Sequence, residues 1–123
     1  MIPHQKPVYR PSPKELDGKM TQAKKALHDQ KLAFVDQGKN MEELNDLDIG
    51  DDIISVLQQI VDEIEPVGCY VGSRPPMRSY EKMIEGKELF AFSWLSSFFG
   101  KKMYLKFAIK GDYFCLVSLH EDH

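Results

Sequence analysis

The hydrophobic residues of this chain keep a helical spacing up to Pro66 and a strand-like spacing beyond it. Leu16, Met20, Ala23 and Leu27 stand four, three and four positions apart, one face of a helix. Its start is written in Ser12-Pro13-Lys14-Glu15: the serine can cap, proline fits the first helical position, and the glutamate can complete a capping box. Gly18 weakens this helix without ending it. The short apolar run "KLAFV" (31–35) reads as a first strand or an extended connector, and "NMEEL" opens a brief second helix with Asn40 as its cap. A third helix begins near Asp48–Asp51, where carboxylates favour the positive helix end. Ile53, Ile54, Leu57, Ile60, Val61 and Ile64 form its buried stripe, and Pro66 and Gly68 stop it.

After Pro66 the spacing moves toward two. "VGCYV" reads as a strand ending at Gly72. "SRPPMRSYEKMIEGK" is a basic, proline-broken loop with at most one helical turn, and "ELFAFSW" is another strand. Phe98 and Phe99 argue against a fully exposed connection over 96–100. "KMYLKFAIK" and "YFCLVSLH" pair as an antiparallel hairpin around Lys110-Gly111-Asp112. Residues 1–11, with Pro3, Pro7 and Pro11, form an extended N-terminal arm, and 12–123 a single domain. Helices followed by a meander of strands imply an α+β fold, with N-terminal helices packed on a small antiparallel sheet formed by the C-terminal half.

Composition adds limits. With 123 residues, 42% hydrophobic and 28% charged, the chain suits one soluble domain with a modest core. No stretch nears the roughly 20 apolar residues that cross a bilayer. The opening Met1-Ile2-Pro3-His4-Gln5 does not resemble a secretory signal, so a cytoplasmic location is expected. Cys69 and Cys115 lie in apolar segments and read as buried thiols rather than a disulfide. The net charge of −3 conceals segregation. Residues 1–35 carry seven bases against three acids (+4), 36–66 one base against ten acids (−9), and 67–119 eight bases against four acids (+4). The basic C-terminal half could face a phosphate backbone, although on charge alone a solvated sheet face with ordinary lysines explains it better.

The hairpin register decides what that face carries. Met103, Leu105, Phe107 and Ile109 form one face and Lys102, Tyr104, Lys106 and Ala108 the other. A two-residue Gly111-Asp112 turn would place His120 beside Met103 in the core. A three-residue Lys110-Gly111-Asp112 loop sends Tyr113, Cys115, Val117 and Leu119 to the core, leaves Ser118 and His120 beside Tyr104 and Lys102, and asks for cover over Phe114 and Leu116. The second register is preferred. It gathers a phenol, an imidazole and ammonium groups, the set with which a metal-independent ribonuclease works. A base takes the 2′-hydroxyl proton, an acid protonates the leaving oxygen, and cations stabilise the phosphorane. An imidazole ordinarily titrates near neutrality, which makes His120 the natural base or acid. Arg74, Arg78 and Lys82 could clamp phosphate with Lys102 and Lys106. A zinc site from Cys69, Cys115, His120 and His123 is rejected: paired Cys-x-x-Cys spacing is missing, and residues 115 and 120 should point to opposite faces of one strand.

"AKKALHDQKLAFV", "MEELNDLDIGDDIISVLQQI", "GKKMYLKFAI" and "LVSLHED" together resemble the MqsR (motility quorum-sensing regulator) toxins, ribonucleases of type II toxin–antitoxin systems, over residues 21–65 and 100–121. The resemblance implies a RelE-like fold, cleavage of mRNA without a metal or other cofactor, and neutralisation by a cognate antitoxin protein. Tyr104 matches the family's active-site tyrosine, and His120 stands where the family has a catalytic lysine. The family's Lys-Ser-Met strand and Trp-Gln-Asp segment have no counterpart, and the loop before "ELFAFSW" is longer here. A different reading keeps the scaffold and drops the chemistry: an interaction domain binding a partner protein or nucleic acid, through Phe98 and Phe99 or the acidic 36–66 region.

Overall fold

A computed structural model describes residues 9–123, so most of the arm expected over 1–11 lies outside the described residues. The architecture is α+β. Helix α1 (Pro13–His28) is capped by Ser12, whose Oγ accepts from the Glu15 amide at 3.1 Å. Leu16, Met20, Ala23 and Leu27 are buried along it, the stripe that the spacing predicts. Strand β1 (Leu32–Phe34) follows, then α2 (Gln37–Asp46). The cap of α2 is Asp36, not Asn40, because Asn40 lies a full turn inside the helix and is fully buried. A 3₁₀ turn (Gly50–Asp52) leads into α3 (Ile53–Glu63). Its buried face runs through Val56, leaving Ile54 half-buried, a small rotation of the expected stripe.

"VGCYV" is not a strand. Pro66–Cys69 make a single helical turn, α4, because the Glu65 side chain accepts from the Val67 and Gly68 amides and caps it. The segment touches the sheet only as an isolated bridge, Tyr70 opposite Phe92, with the Val71 amide donating to the Ala91 carbonyl at 2.9 Å. After a long loop come β2 (Phe90–Ser96), β3 (Lys101–Lys110) and β4 (Tyr113–Glu121). The four strands lie in the order β1-β4-β3-β2, antiparallel except that β1 runs parallel to β4. The sheet is therefore mixed, and its edge strand β1 comes from the N-terminal half. Helices α1 and α3 cover one face, over Phe90, Phe92, Met103, Leu105, Phe107, Phe114, Leu116 and Leu119.

Neither straight hairpin register occurs. The turn is the two-residue Gly111-Asp112 form, pairing Lys110 with Tyr113, with Gly111 at φ +61°. Continued unbroken, that register would bury Ser118 and His120 and expel Leu119. A β-bulge at Val117 corrects it: Phe107 pairs with Leu116, whereas Lys106 pairs with Ser118 and Tyr104 with His120. Burying each large apolar side chain is worth about 1.5–3 kcal/mol. Burying a polar group without a partner costs about 1–3 kcal/mol. Both exceed the ~1 kcal/mol of one interrupted ladder bond, so the bulge prevails.

Helix α2 closes the strand edge that the bulge disturbs. Asn40 Nδ2 donates to the Val117 carbonyl at 3.0 Å. Glu43 accepts from Ser118 Oγ at 2.7 Å and from the Leu119 amide at 3.3 Å. On the far side of the sheet, Glu63 at the end of α3 accepts from Trp94 Nε1 (2.8 Å), Ser96 Oγ (2.7 Å) and the Phe98 amide (2.7 Å), fixing the β2–β3 turn. Burial pushes the Glu63 carboxyl up, but these donors outweigh it and hold the group below its ordinary range.

Two predictions follow from these contacts. Asn40→Ala strands the Val117 carbonyl and should cost about 1–3 kcal/mol in urea denaturation; an unchanged midpoint would show that the bulge needs no support from α2. A carboxyl depressed in the folded state stabilises above its ordinary pKa, and that contribution is lost as pH falls through the folded value. Glu63→Gln should therefore flatten the acid limb of the stability profile between neutrality and the low-pH transition. Parallel acid limbs in the two proteins would remove Glu63 from the account.

Candidate nucleic-acid interface

The sheet face opposite α1 and α3 is only partly covered. The loop before β2 folds back over the hairpin end, where Ser79 donates its amide to the Lys87 carbonyl (2.8 Å) and Leu89 to the Met77 carbonyl (2.8 Å). A 3₁₀ turn (Lys82–Ile84) drives Ile84 against Ala108 and Cys115, with Val35, Leu89 and Val117 around them. Lys110 Nζ donates to the Met83 carbonyl at 2.7 Å and pins the turn. The other end of the loop is set by Tyr70, whose hydroxyl donates to the Ser73 carbonyl at 2.5 Å. A Cβ on Gly72 would sit 2.6 Å from that hydroxyl, so glycine is required there.

Between loop and sheet runs a groove of two adjoining hollows. One, about 200 Å³, is lined by Tyr104, Lys106, Ala91 and the 71–77 segment. The next, about 420 Å³, takes in Lys39, Arg78, Tyr80, Lys82 and again Lys106. Met77, Leu89 and Lys106 belong to both. At the first hollow Tyr104 stacks on His120, with ring centroids 5.0 Å apart and planes at 18°. His120 is exposed, and its Nδ1 lies 2.8 Å from the Glu121 carbonyl. With Nδ1 carrying the proton, Nε2 is left as the acceptor. Tyr104 is half-buried. Burial first, then the Asp122 charge, pushes its phenol above the ordinary tyrosine value, so it acts as a neutral O–H donor. Asp122 is held by Ser93 Oγ at 2.5 Å and by its own amide on the Lys102 carbonyl at 2.9 Å.

The residues expected to form the site divide accordingly. Tyr104, His120 and Lys106 share the open face, and Arg78 and Lys82 reach the groove from the loop. Lys102 alternates onto the same face, but neither it nor His120 lines a hollow; His120 adjoins the first one through its stack on Tyr104. Arg74 does not join them: its guanidinium lies over the Tyr70 ring at 5.0 Å and donates to the Pro11 carbonyl at 3.4 Å, beside the start of α1. The bulge also corrects the reasoning used against a zinc site. Cys115 pairs with Ala108 and His120 with Tyr104, so both point to the open face. Cys115 is nevertheless buried beneath Ile84, and burial pushes its thiol up. Lys39 and Tyr80 were not legible as site residues, because nothing in the sequence links an acidic helix to the distant loop. Ser93 and Asp122 likewise meet only through strand register.

No family model, curated protein or solved structure matches the chain.

A phenol whose pKa is raised on folding favours the folded state below its ordinary value, and that advantage fades as pH rises through the folded one. Burial raises Tyr70 as well. Tyrosinate absorbance should therefore show late-titrating phenols, one of which disappears in Tyr104→Phe, and the variant should lose stability less steeply in alkali. Superimposable alkaline titrations of the two proteins would contradict the burial of Tyr104.

Proposed function

We propose that this protein binds RNA along the open sheet face and cleaves it without a metal, as a toxin neutralised by a cognate antitoxin protein would. The observation that carries the reading is the Tyr104–His120 stack standing at the end of a groove that continues past Lys106 to Arg78, Lys82 and Lys39. His120 Nε2 takes the 2′-hydroxyl proton, which lets that oxygen attack the adjacent phosphorus and expel the 5′-oxygen. The Tyr104 hydroxyl, kept neutral by its surroundings, donates to a phosphate oxygen as negative charge grows there, and the Lys106 ammonium stabilises the same charge. The proton on His120 then returns to the leaving 5′-oxygen. Messenger RNA, as an accessible single strand, is the natural substrate of so shallow a site, and a cytoplasmic location follows from it. The sequence resemblance to the MqsR toxins supports the reading, with an imidazole in place of their catalytic lysine.

A second reading, binding without cleavage, is favoured by one observation: Arg74 is committed to Tyr70 and Pro11 and cannot share the phosphate charge. Cleavage of a mixed mRNA pool in EDTA separates the two. The wild type should cut, His120→Ala should lose about 100-fold or more in rate, and Lys106→Ala should cut more slowly. RNA left intact at high concentrations of a protein that still binds it would establish the non-enzymatic reading instead.

A further inference from the structure

We propose that Tyr80 is a stacking platform for an unpaired base of the bound strand, making the second hollow a subsite that selects single-stranded over duplex RNA. The inference rests on the RNA reading and deepens it. Tyr80 is 93% exposed, the barest of the large apolar or aromatic side chains on the described surface. It stands on the rim of the hollow lined by Lys39, Arg78, Lys82 and Lys106, four cations against the single carboxylate of Glu81. A bare ring beside a cationic groove is the arrangement by which proteins hold single strands: the charges follow the backbone and the ring takes a base face. Bases inside a duplex are already stacked on their neighbours and have no face to offer.

The ring is also presented rigidly. The Ser79 amide bonds to the Lys87 carbonyl at 2.8 Å, the Gly86 amide to the Ser79 carbonyl at 2.9 Å, and the Glu81 amide to Ser79 Oγ at 3.0 Å. Ile84, 1% exposed, anchors the turn to the sheet. Tyr80 is thus held outward by a braced turn rather than carried on a loose one. Because Lys106 lines both hollows, a strand reacting at Tyr104 and His120 would pass directly along the second hollow to Tyr80.

The test is fluorescence anisotropy with a labelled, 2′-O-methylated single-stranded RNA, which can be bound but not cut. Tyr80→Ala should weaken binding about 5- to 100-fold, and Tyr80→Phe should restore it. The wild type should bind a strand of abasic sugars as weakly as Tyr80→Ala binds the intact one. Far-ultraviolet circular dichroism should be unchanged in both variants, since the ring packs against nothing. If Tyr80→Ala binds as well as wild type while Lys106→Ala binds more weakly, the groove reading stands and the stacking subsite is refuted. Equal wild-type affinity for duplex and single strand refutes it too. Failure of the wild type to bind any RNA overturns the function proposed above, and this subsite with it.

Discussion

The open face depends on one irregularity, the bulge at Val117. An unbroken two-residue hairpin would bring His120 beneath the helices and push Leu119 into water. One extra residue restores the phase, so Phe114, Leu116 and Leu119 share the core while Ser118 and His120 emerge on the other side. The defect survives because α2 supplies what the ladder loses there. Asn40 and Glu43 reach the disturbed edge as side chains where β1 has already ended.

That dependence explains which parts of the fold were readable. The stripes of α1 and α3 follow from local spacing and a burial direction, and both appear nearly as the sequence implies. "VGCYV" failed because an apolar run does not distinguish a strand from a helical turn; the Glu65 cap decided the matter. The parallel seat of β1 is a long-range pairing with no local mark. His120 reached the expected face by an unexpected route: the preferred loop was wrong at the turn, and the bulge arrived at the same side. Of the cations expected to meet, Arg74 was lost to a neighbouring aromatic ring, a competition invisible without the fold. Lys39 joined from an otherwise acidic helix for the same reason.

The charge segregation also takes on spatial meaning. The acidic middle of the chain is spent on α2, α3 and their connections, and several of its carboxylates are structural: Asp36 caps α2, Glu43 holds the edge of β4, and Glu63 holds the β2–β3 turn. The groove is locally positive although the whole chain is acidic, because its lining sets Lys39, Arg78, Lys82 and Lys106 against Glu81 alone. The net charge of −3 therefore says little about what the open face attracts.

The position of β4 has a consequence for the order of assembly. The fourth strand is an inner one, inserted between the first and third, and it supplies His120, the bulge and the carbonyl that accepts from Asn40. A chain that has made the helices and β3 has no partner for β1 and no ring stacked on Tyr104. The Tyr104–His120 stack and the bulge therefore form only when β4 inserts between β1 and β3.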